Sequence, residues 1–166
     1  MKNLASAGRF LFRYRAAAAT VAFVFLVLAA RPVNSPAGHI FVLLGVVLRA
    51  WAAGYIGPAG RKREFQGEYV IKSGPYRLLR HPLYVGNFLL VLGVLVLFNP
   101  PFWLRALYLA LFIVIYAVII CGETRYMKGK PAREPGYELS NLRGEFSTWI
   151  VLAVIYGAYF VLRALV

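Results

Sequence analysis

Charge is scarce in this chain. Only 15% of its 166 residues are charged, against about 25% in an average soluble domain, and six of them are acidic. Cysteine is nearly absent: Cys121 stands alone, which excludes an internal disulfide framework and any multi-cysteine metal or iron–sulfur centre. Neither the glycine-rich dinucleotide spacing nor the P-loop spacing occurs, so a soluble-type nucleotide fold is excluded. Apolar sequence, in contrast, makes up 61% of the chain, and the mean hydropathy is +0.67. That excess is too large for the core of a soluble domain of this length and comes in blocks. A soluble globular protein, a disordered tail and a collagen-like chain are excluded; the chain reads as an integral membrane protein.

The apolar blocks lie at 16–30, 38–57, 83–98, 102–121 and 149–166. A spanning helix takes about 20 residues, with roughly 17–25 as the usual range. The second, fourth and fifth blocks meet that length directly, and the third does if it runs from His81 to Asn99. The first reaches it by taking in Phe10, Leu11 and Phe12, with Arg13 and Arg15 snorkelling to the headgroups. This block also has the look of a signal peptide, with Val27-Leu28-Ala29 as a cleavage site, but the four spans after it favour a retained anchor. The expected architecture is all-α: one transmembrane domain over residues 1–166, a helical bundle of about five transmembrane helices.

The charges orient that bundle. Lysine and arginine number 19, for a formal net charge of +13. No nucleic-acid recognition motif accompanies them, so nucleic acid is not an expected partner. With the N-terminus in the cytoplasm, 15 basic residues fall inside and three (Arg31, Arg105, Arg163) outside, leaving Arg49 within a span. This is the positive-inside distribution, and it suits contact with anionic membrane lipids. The outer connections are short and contain proline. The inner ones, 58–80 and 122–148, are long and polar, so chemistry is expected on the cytoplasmic face. His39 and His81 then lie at opposite ends of their spans, about 30 Å apart, and cannot share a metal. No metal site is expected.

The densest segment is Ser73-Gly74-Pro75-Tyr76-Arg77-Leu78-Leu79-Arg80-His81-Pro82-Leu83-Tyr84-Val85-Gly86-Asn87. Gly74-Pro75 predicts a turn that brings Tyr76 in from a bend. Pro82 suits the first position of a helix and pushes His81 out of helical geometry. The amides of that helix start, beside Arg80 and His81, offer an anion site, and Tyr76 and Tyr84 suit a flat or cationic ligand. The plainer alternative is that Arg80 binds lipid phosphate and His81 caps the helix.

Gly74-Pro75-Tyr76 followed by Arg80-His81-Pro82-x-Tyr84-x-Gly86 resembles the signature of the isoprenylcysteine carboxyl methyltransferase and phospholipid N-methyltransferase superfamily, small integral-membrane enzymes. The resemblance runs from about Leu48 to Arg125. In such enzymes an acidic pair follows the next hairpin of spans; here Glu123 takes the acidic position and Thr124 stands where a second Glu is usual. The resemblance implies S-adenosylmethionine as methyl donor and a lipid or lipidated small molecule as acceptor. It implies Tyr76, Arg80, His81, Pro82, Tyr84, Gly86 and Glu123 as cofactor-binding residues.

The residues themselves agree with this reading. A carboxylate at the C-terminal end of a helix is disfavoured by the helix dipole, so Glu123 is a functional candidate. An interfacial pair with Arg125 or Lys128 is its alternative. A donor with a carboxylate, an ammonium and a sulfonium calls for both signs of charge: Arg80 with the helix start for the carboxylate, Glu123 for the ammonium. Arg49, the one ionisable residue well inside a span, costs about 2.5–3.5 kcal/mol to insert. It either snorkels or lines a cavity and meets an anionic group; Arg49 and Arg125 are the cavity candidates. No general base is evident. A carboxylate acceptor, as in prenylcysteine methylation, needs none, whereas an ammonium acceptor must first lose a proton. The leading expectation is therefore isoprenylcysteine-carboxyl-methyltransferase-like transfer, with a phospholipid amine methyltransferase and a non-catalytic lipid-binding module as alternatives.

Overall fold

A computed structural model describes residues 10, 14, 19–57 and 69–165. The basic N-terminal residues Lys2, Arg9, Arg13 and Arg15, positions 16–18 of the first expected span, and Arg61, Lys62 and Arg63 lie outside the described residues. Among the described residues the fold is all-α apart from one pair of two-residue strands. Its helices are α1 (Ala19–Leu28), α2 (Pro36–Ile56), α3 (Pro82–Phe98), α4 (Phe102–Tyr126) and α5 (Phe146–Ala164). Strands β1 (Val70–Ile71) and β2 (Ala132–Arg133) pair in parallel, Val70 opposite Ala132.

Proline sets the helix starts. Pro36 follows the N-cap Ser35, Pro82 follows His81, and Pro101 immediately precedes α4. At these positions the missing N–H would have no partner in the helix, and the ring presets φ. α4 runs past the expected end at 121 to Tyr126, because nothing in Gly122-Glu123-Thr124-Arg125 breaks it; Gly129, at φ +83°, turns the chain just beyond. α5 begins at Phe146 rather than 149, directly after a 3₁₀ turn over Leu139–Glu145.

Helices α2 and α3 pack antiparallel through glycine. Gly38 faces Gly93 and Gly45 faces Gly86: a Cβ on Gly93 would lie 2.8 Å from the Gly38 carbonyl oxygen, and one on Gly45 2.9 Å from that of Gly86. On each helix the two glycines are seven residues apart, two helical turns, so they share one face. In lipid there is no hydrophobic drive between helices, and close backbone approach at small residues supplies dispersion contact instead. At one end of this pair Leu26, Val42, Leu97, Phe98 and Tyr159 form the main core, bringing in α1 and α5. There the Tyr159 hydroxyl donates to the Val33 carbonyl at 3.0 Å, and the Arg31 amide to that of Phe98 at 2.8 Å.

Large apolar side chains face outward along the bundle: Leu43, Leu44 and Val47 on α2, Ile113 and Val114 on α4, Val151, Val154 and Val161 on α5. Such a surface would be untenable in water and matches lipid. Among the described residues three helices are long and apolar enough to cross a bilayer: Pro36–Ile56, Phe102–Tyr126 and Leu139–Ala164, the last counted with its 3₁₀ turn. α1 and α3 are apolar but shorter.

Residues 69–79 and 131–141 close over the other end. Beyond the β1–β2 pair, Ser73 Oγ donates to the Pro135 carbonyl at 2.7 Å, and Arg77 pairs with Glu134 at 3.0 Å. The amide of Glu138 and the side chain of Asn141 each donate to the Gly54 carbonyl at 3.0 Å. The Tyr137 ring lies where any Gly54 side chain would be. These two stretches form a cap, and the polar cluster sits beneath it.

Candidate active site

Arg49 comes from α2, about 10 Å along the helix from Ile56 at the capped end. Its guanidinium forks onto Glu145, Nε to Oε2 at 2.8 Å and Nη2 to Oε1 at 2.9 Å, and also donates to Thr148 Oγ1 at 3.0 Å and to Asn87 Oδ1. The Asn87 amide then donates to the Tyr116 hydroxyl at 2.9 Å. One network thus ties α2, α3, α4 and the start of α5. The side chains of Arg49 and Glu145 are 14% and 7% exposed, so this is a desolvated bidentate pair, which holds only when nearly all its donors and acceptors are met. Glu145 stands at the N-cap of α5, where the positive end of the helix dipole favours a carboxylate.

This partnership changes the reading of Arg49. It was expected either to snorkel or to line a cavity and meet an anionic group of donor or lipid; the group it holds here is Glu145 of the chain itself. Glu145, Thr148 and Tyr116 were not singled out from the sequence, and Asn87 was quoted without a role. One signal did point to Glu145: a buried arginine needs a counter-charge, and Glu145 is the carboxylate directly preceding the fifth apolar block.

Beside this network lies a second cluster. Glu123 Oε2 accepts from the Tyr84 hydroxyl at 2.8 Å and lies 3.4 Å from His81 Nδ1. Thr124 Oγ1 lies 3.5 Å from His81 Nε2, so the residue in place of a second Glu also faces the imidazole. The His81 ring stacks on Tyr84, centroids 5.5 Å apart, and Tyr84 meets Tyr116 edge-on at 5.2 Å, joining the two clusters. The local sequence explains the pose. Pro82 occupies the first position of α3, and His81, at φ −133° and ψ 63°, is turned off the helix so that its ring lies back over the first turn.

Tyr76 is held in the same place by the Gly74–Arg77 3₁₀ turn, in which Gly74 takes φ +53° and Pro75 is fully buried. Its hydroxyl is buried and has no hydrogen-bond partner among the described residues. Burial, then the charge of Glu123, push its pKa well above the usual tyrosine value; Arg49 pulls the other way and Glu145 adds to the rise.

Gly86 has a packing reason of its own: a Cβ there would meet Arg49 Cγ at 2.5 Å, so the glycine makes room for the arginine. Pro82 is buried at the helix start, where the Tyr84 amide, one of the donors expected to be free, closes onto the His81 carbonyl at 3.0 Å. Arg80 and Arg125 are exposed at this end rather than inside the cluster. Outside, between α3 and α4, a cleft of about 180 Å³ begins at His81 and Tyr84 and continues along Val85, Phe88 and Phe112. Among the described residues no group of three His, Cys, Asp or Glu comes together as metal ligands.

A helical membrane protein with a buried polar cluster at one end, beside an apolar cleft, is the class that fold and site define. The chain belongs to the phospholipid methyltransferase family, whose sequence model matches residues 33–130. That stretch carries α2 to α4 and both halves of the His81–Glu123 cluster; Glu145 and α5 lie beyond it. Among curated proteins the chain is similar to the cobalt-zinc-cadmium resistance protein CzcN of Cupriavidus metallidurans, 37% identical over 123 residues, 69% of this chain and 53% of that protein. It is also similar to the nickel-cobalt-cadmium resistance protein NccN of Alcaligenes xylosoxydans xylosoxydans, 33% identical over 125 residues, 69% of this chain and 54% of that one. The chain thus spans about half the length of these relatives. No solved structure matches it significantly.

Proposed function

We propose that this protein is an integral-membrane methyltransferase that moves a methyl group from S-adenosylmethionine to an acceptor embedded in the bilayer, at a site open to the cytoplasm. One observation carries the reading: the Glu123–Tyr84–His81 cluster and the apolar cleft between α3 and α4 meet at the same two side chains. A lipid tail in the cleft would leave its headgroup beside the carboxylate.

The residues fit the donor's chemistry. Glu123, with its side chain 29% exposed, is a carboxylate for an ammonium; the faces of Tyr84 and His81 suit a cationic centre; Arg80, exposed at the helix start, suits a carboxylate. The bound donor supplies an electrophilic methyl on a sulfonium. The chain supplies placement and a dry wall, holding the two reactants in line under the cap.

The charges favour an amine acceptor. With Arg49 engaged by Glu145, the buried arginine offsets no further anion, so a carboxylate acceptor finds no buried cation to pair with it here, whereas an amine needs none. An ammonium must lose a proton before its lone pair can attack, and His81 is a group to receive it at Nε2 when Nδ1 carries its hydrogen toward Glu123. The family match to phospholipid methyltransferases supports the same acceptor class.

Calorimetry with S-adenosylhomocysteine, followed by incubation with methyl-labelled donor and a membrane lipid extract, tests this. Donor-product binding and label in aminolipids are expected. Label in a carboxyl ester would keep methyl transfer and reverse the acceptor. Lipid binding with neither donor affinity nor turnover would leave the non-catalytic module.

A further inference from the structure

The end of the bundle away from the cap carries charge of one sign. All six acidic residues of the sequence fall at 64–68 and 123–145, in or beside the two connections that leave the capped ends of α2 and α4. The sequence places none in the connections 29–35 and 99–101 or in the helix ends that adjoin them. Arg31, Arg105 and Arg163 lie there.

Packing gathers these three arginines. The Arg31 amide donates to the Phe98 carbonyl at 2.8 Å, which sets Arg31 against the end of α3. Arg105 stands in the first turn of α4, just across the turn that follows Phe98. One helical turn further on, the Tyr108 hydroxyl donates to the Ala22 carbonyl, so this face of α4 is the one turned to α1. Arg163 Nη1 donates to the Tyr159 hydroxyl at 3.4 Å. That tyrosine, 1% exposed, donates in turn to the Val33 carbonyl, two residues from Arg31. His39, at the same end, is engaged with the Tyr156 hydroxyl at 3.0 Å and supplies no anion.

Depth says where a counter-charge comes from. α3 has 17 residues, a rise of about 26 Å, against a hydrocarbon core of about 30 Å. A short span is met by local thinning of the bilayer and by snorkelling of the basic groups beside it, which brings arginine and lipid phosphate to one level. Trp103, 66% exposed and two residues before Arg105, is a side chain of the kind that sits at headgroup depth. A rim of this kind faces lipid rather than a water-borne anion.

We propose that Arg31, Arg105 and Arg163 form a seat for the phosphodiester of a net-negative phospholipid in the leaflet opposite the cap. Guanidinium groups match phosphate oxygens in geometry as well as charge. A zwitterionic lipid brings its own ammonium to the phosphate, whereas a net-negative headgroup supplies the counter-charge that the acidic residues, all elsewhere, do not. The seat is separate from the Glu123 cluster and independent of the methyl-transfer reading.

Trp103 reports on the seat directly. With Trp51→Phe and Trp149→Phe in the full chain it is the one tryptophan left, and its quenching by bromine-labelled lipids in nanodiscs reads which headgroup collects beside it. Phosphatidylglycerol should be preferred over phosphatidylcholine by about fivefold or more, the worth of one arginine at an anionic surface. Arg31→Gln, Arg105→Gln and Arg163→Gln together should bring that ratio to about one, and lysine at the same three positions should restore it. Lys72→Gln, Lys128→Gln and Arg143→Gln, at the capped end, should leave it unchanged, as should excess inorganic phosphate at matched ionic strength. A ratio near one before the arginines are changed, or in the lysine variant, overturns the proposal. A ratio that survives the three glutamines overturns it too, since the arginines are then not the seat, and so does loss of the preference in the capped-end variant. A ratio abolished by inorganic phosphate makes this a site for a free anion and rejects the lipid.

Discussion

Removing the Glu145 carboxylate should destabilise the bundle more than losing any exposed ion pair. In Glu145→Ala, Arg49 loses both bonds of its fork and keeps only Thr148 and Asn87, with its side chain 14% exposed. A buried charge left without its partner typically costs about 3–5 kcal/mol. Arg49→Met should cost somewhat less, by about 0.3–1 kcal/mol, because the stranded carboxylate still sits at the positive end of α5. Replacing both, Arg49→Met with Glu145→Leu, removes the desolvation penalty along with the attraction, and such swaps are often close to neutral. The three variants and wild type form a double-mutant cycle, read by reversible unfolding in mixed micelles, with a coupling of about 3 kcal/mol or more expected. A Glu145→Ala loss below about 1 kcal/mol, or a double variant whose loss equals the sum of the singles, would refute the view that this pair is a desolvated unit.

Three further outcomes are expected. Glu123→Gln should weaken S-adenosylhomocysteine binding more than tenfold by calorimetry, while Arg133→Ala, whose exposed guanidinium lies over the Tyr69 ring, should leave it unchanged; equal affinities would end the assignment of Glu123 to the donor site. Gly93→Ala should cost about 1–3 kcal/mol, since its Cβ would press on the Gly38 carbonyl and Val42, whereas Gly157→Ala, with open space around it on α5, should stabilise by up to about 1 kcal/mol; the same unfolding assay in which both variants behaved alike would contradict glycine-mediated α2–α3 packing. In a Cys121→Ser background, cysteines at Lys128 and Asn34 should react with an impermeant maleimide from opposite faces of the membrane, Lys128 from the cytoplasmic one, and labelling of both from one side would reject the expected orientation.

Sequence by itself determined, to within a few residues, where the described helices lie and how the chain turns into α3. Both are local properties: an apolar run long enough to span, a proline where a helix can start, a glycine where the chain must turn. The start of α3 at Pro82, the off-helix His81 and the bend before Tyr76 follow from nearest neighbours alone. Arg49 was visible as an anomaly for the same reason, a single charge inside an apolar block. The identity of its partner was not, because Glu145 stands 96 residues away and comes within reach only when α5 docks beside α2. α3 and α4 are apolar almost all round, so no stripe in either says which side turns inward; only packing puts Asn87 between Arg49 and Tyr116 and sets His81 across from Glu123. The seat of the turn that carries Tyr76 is likewise decided by packing, where Ser73 and Arg77 meet Pro135 and Glu134. Charge pairing and desolvation depend on distances between elements, and those exist only in the packed molecule.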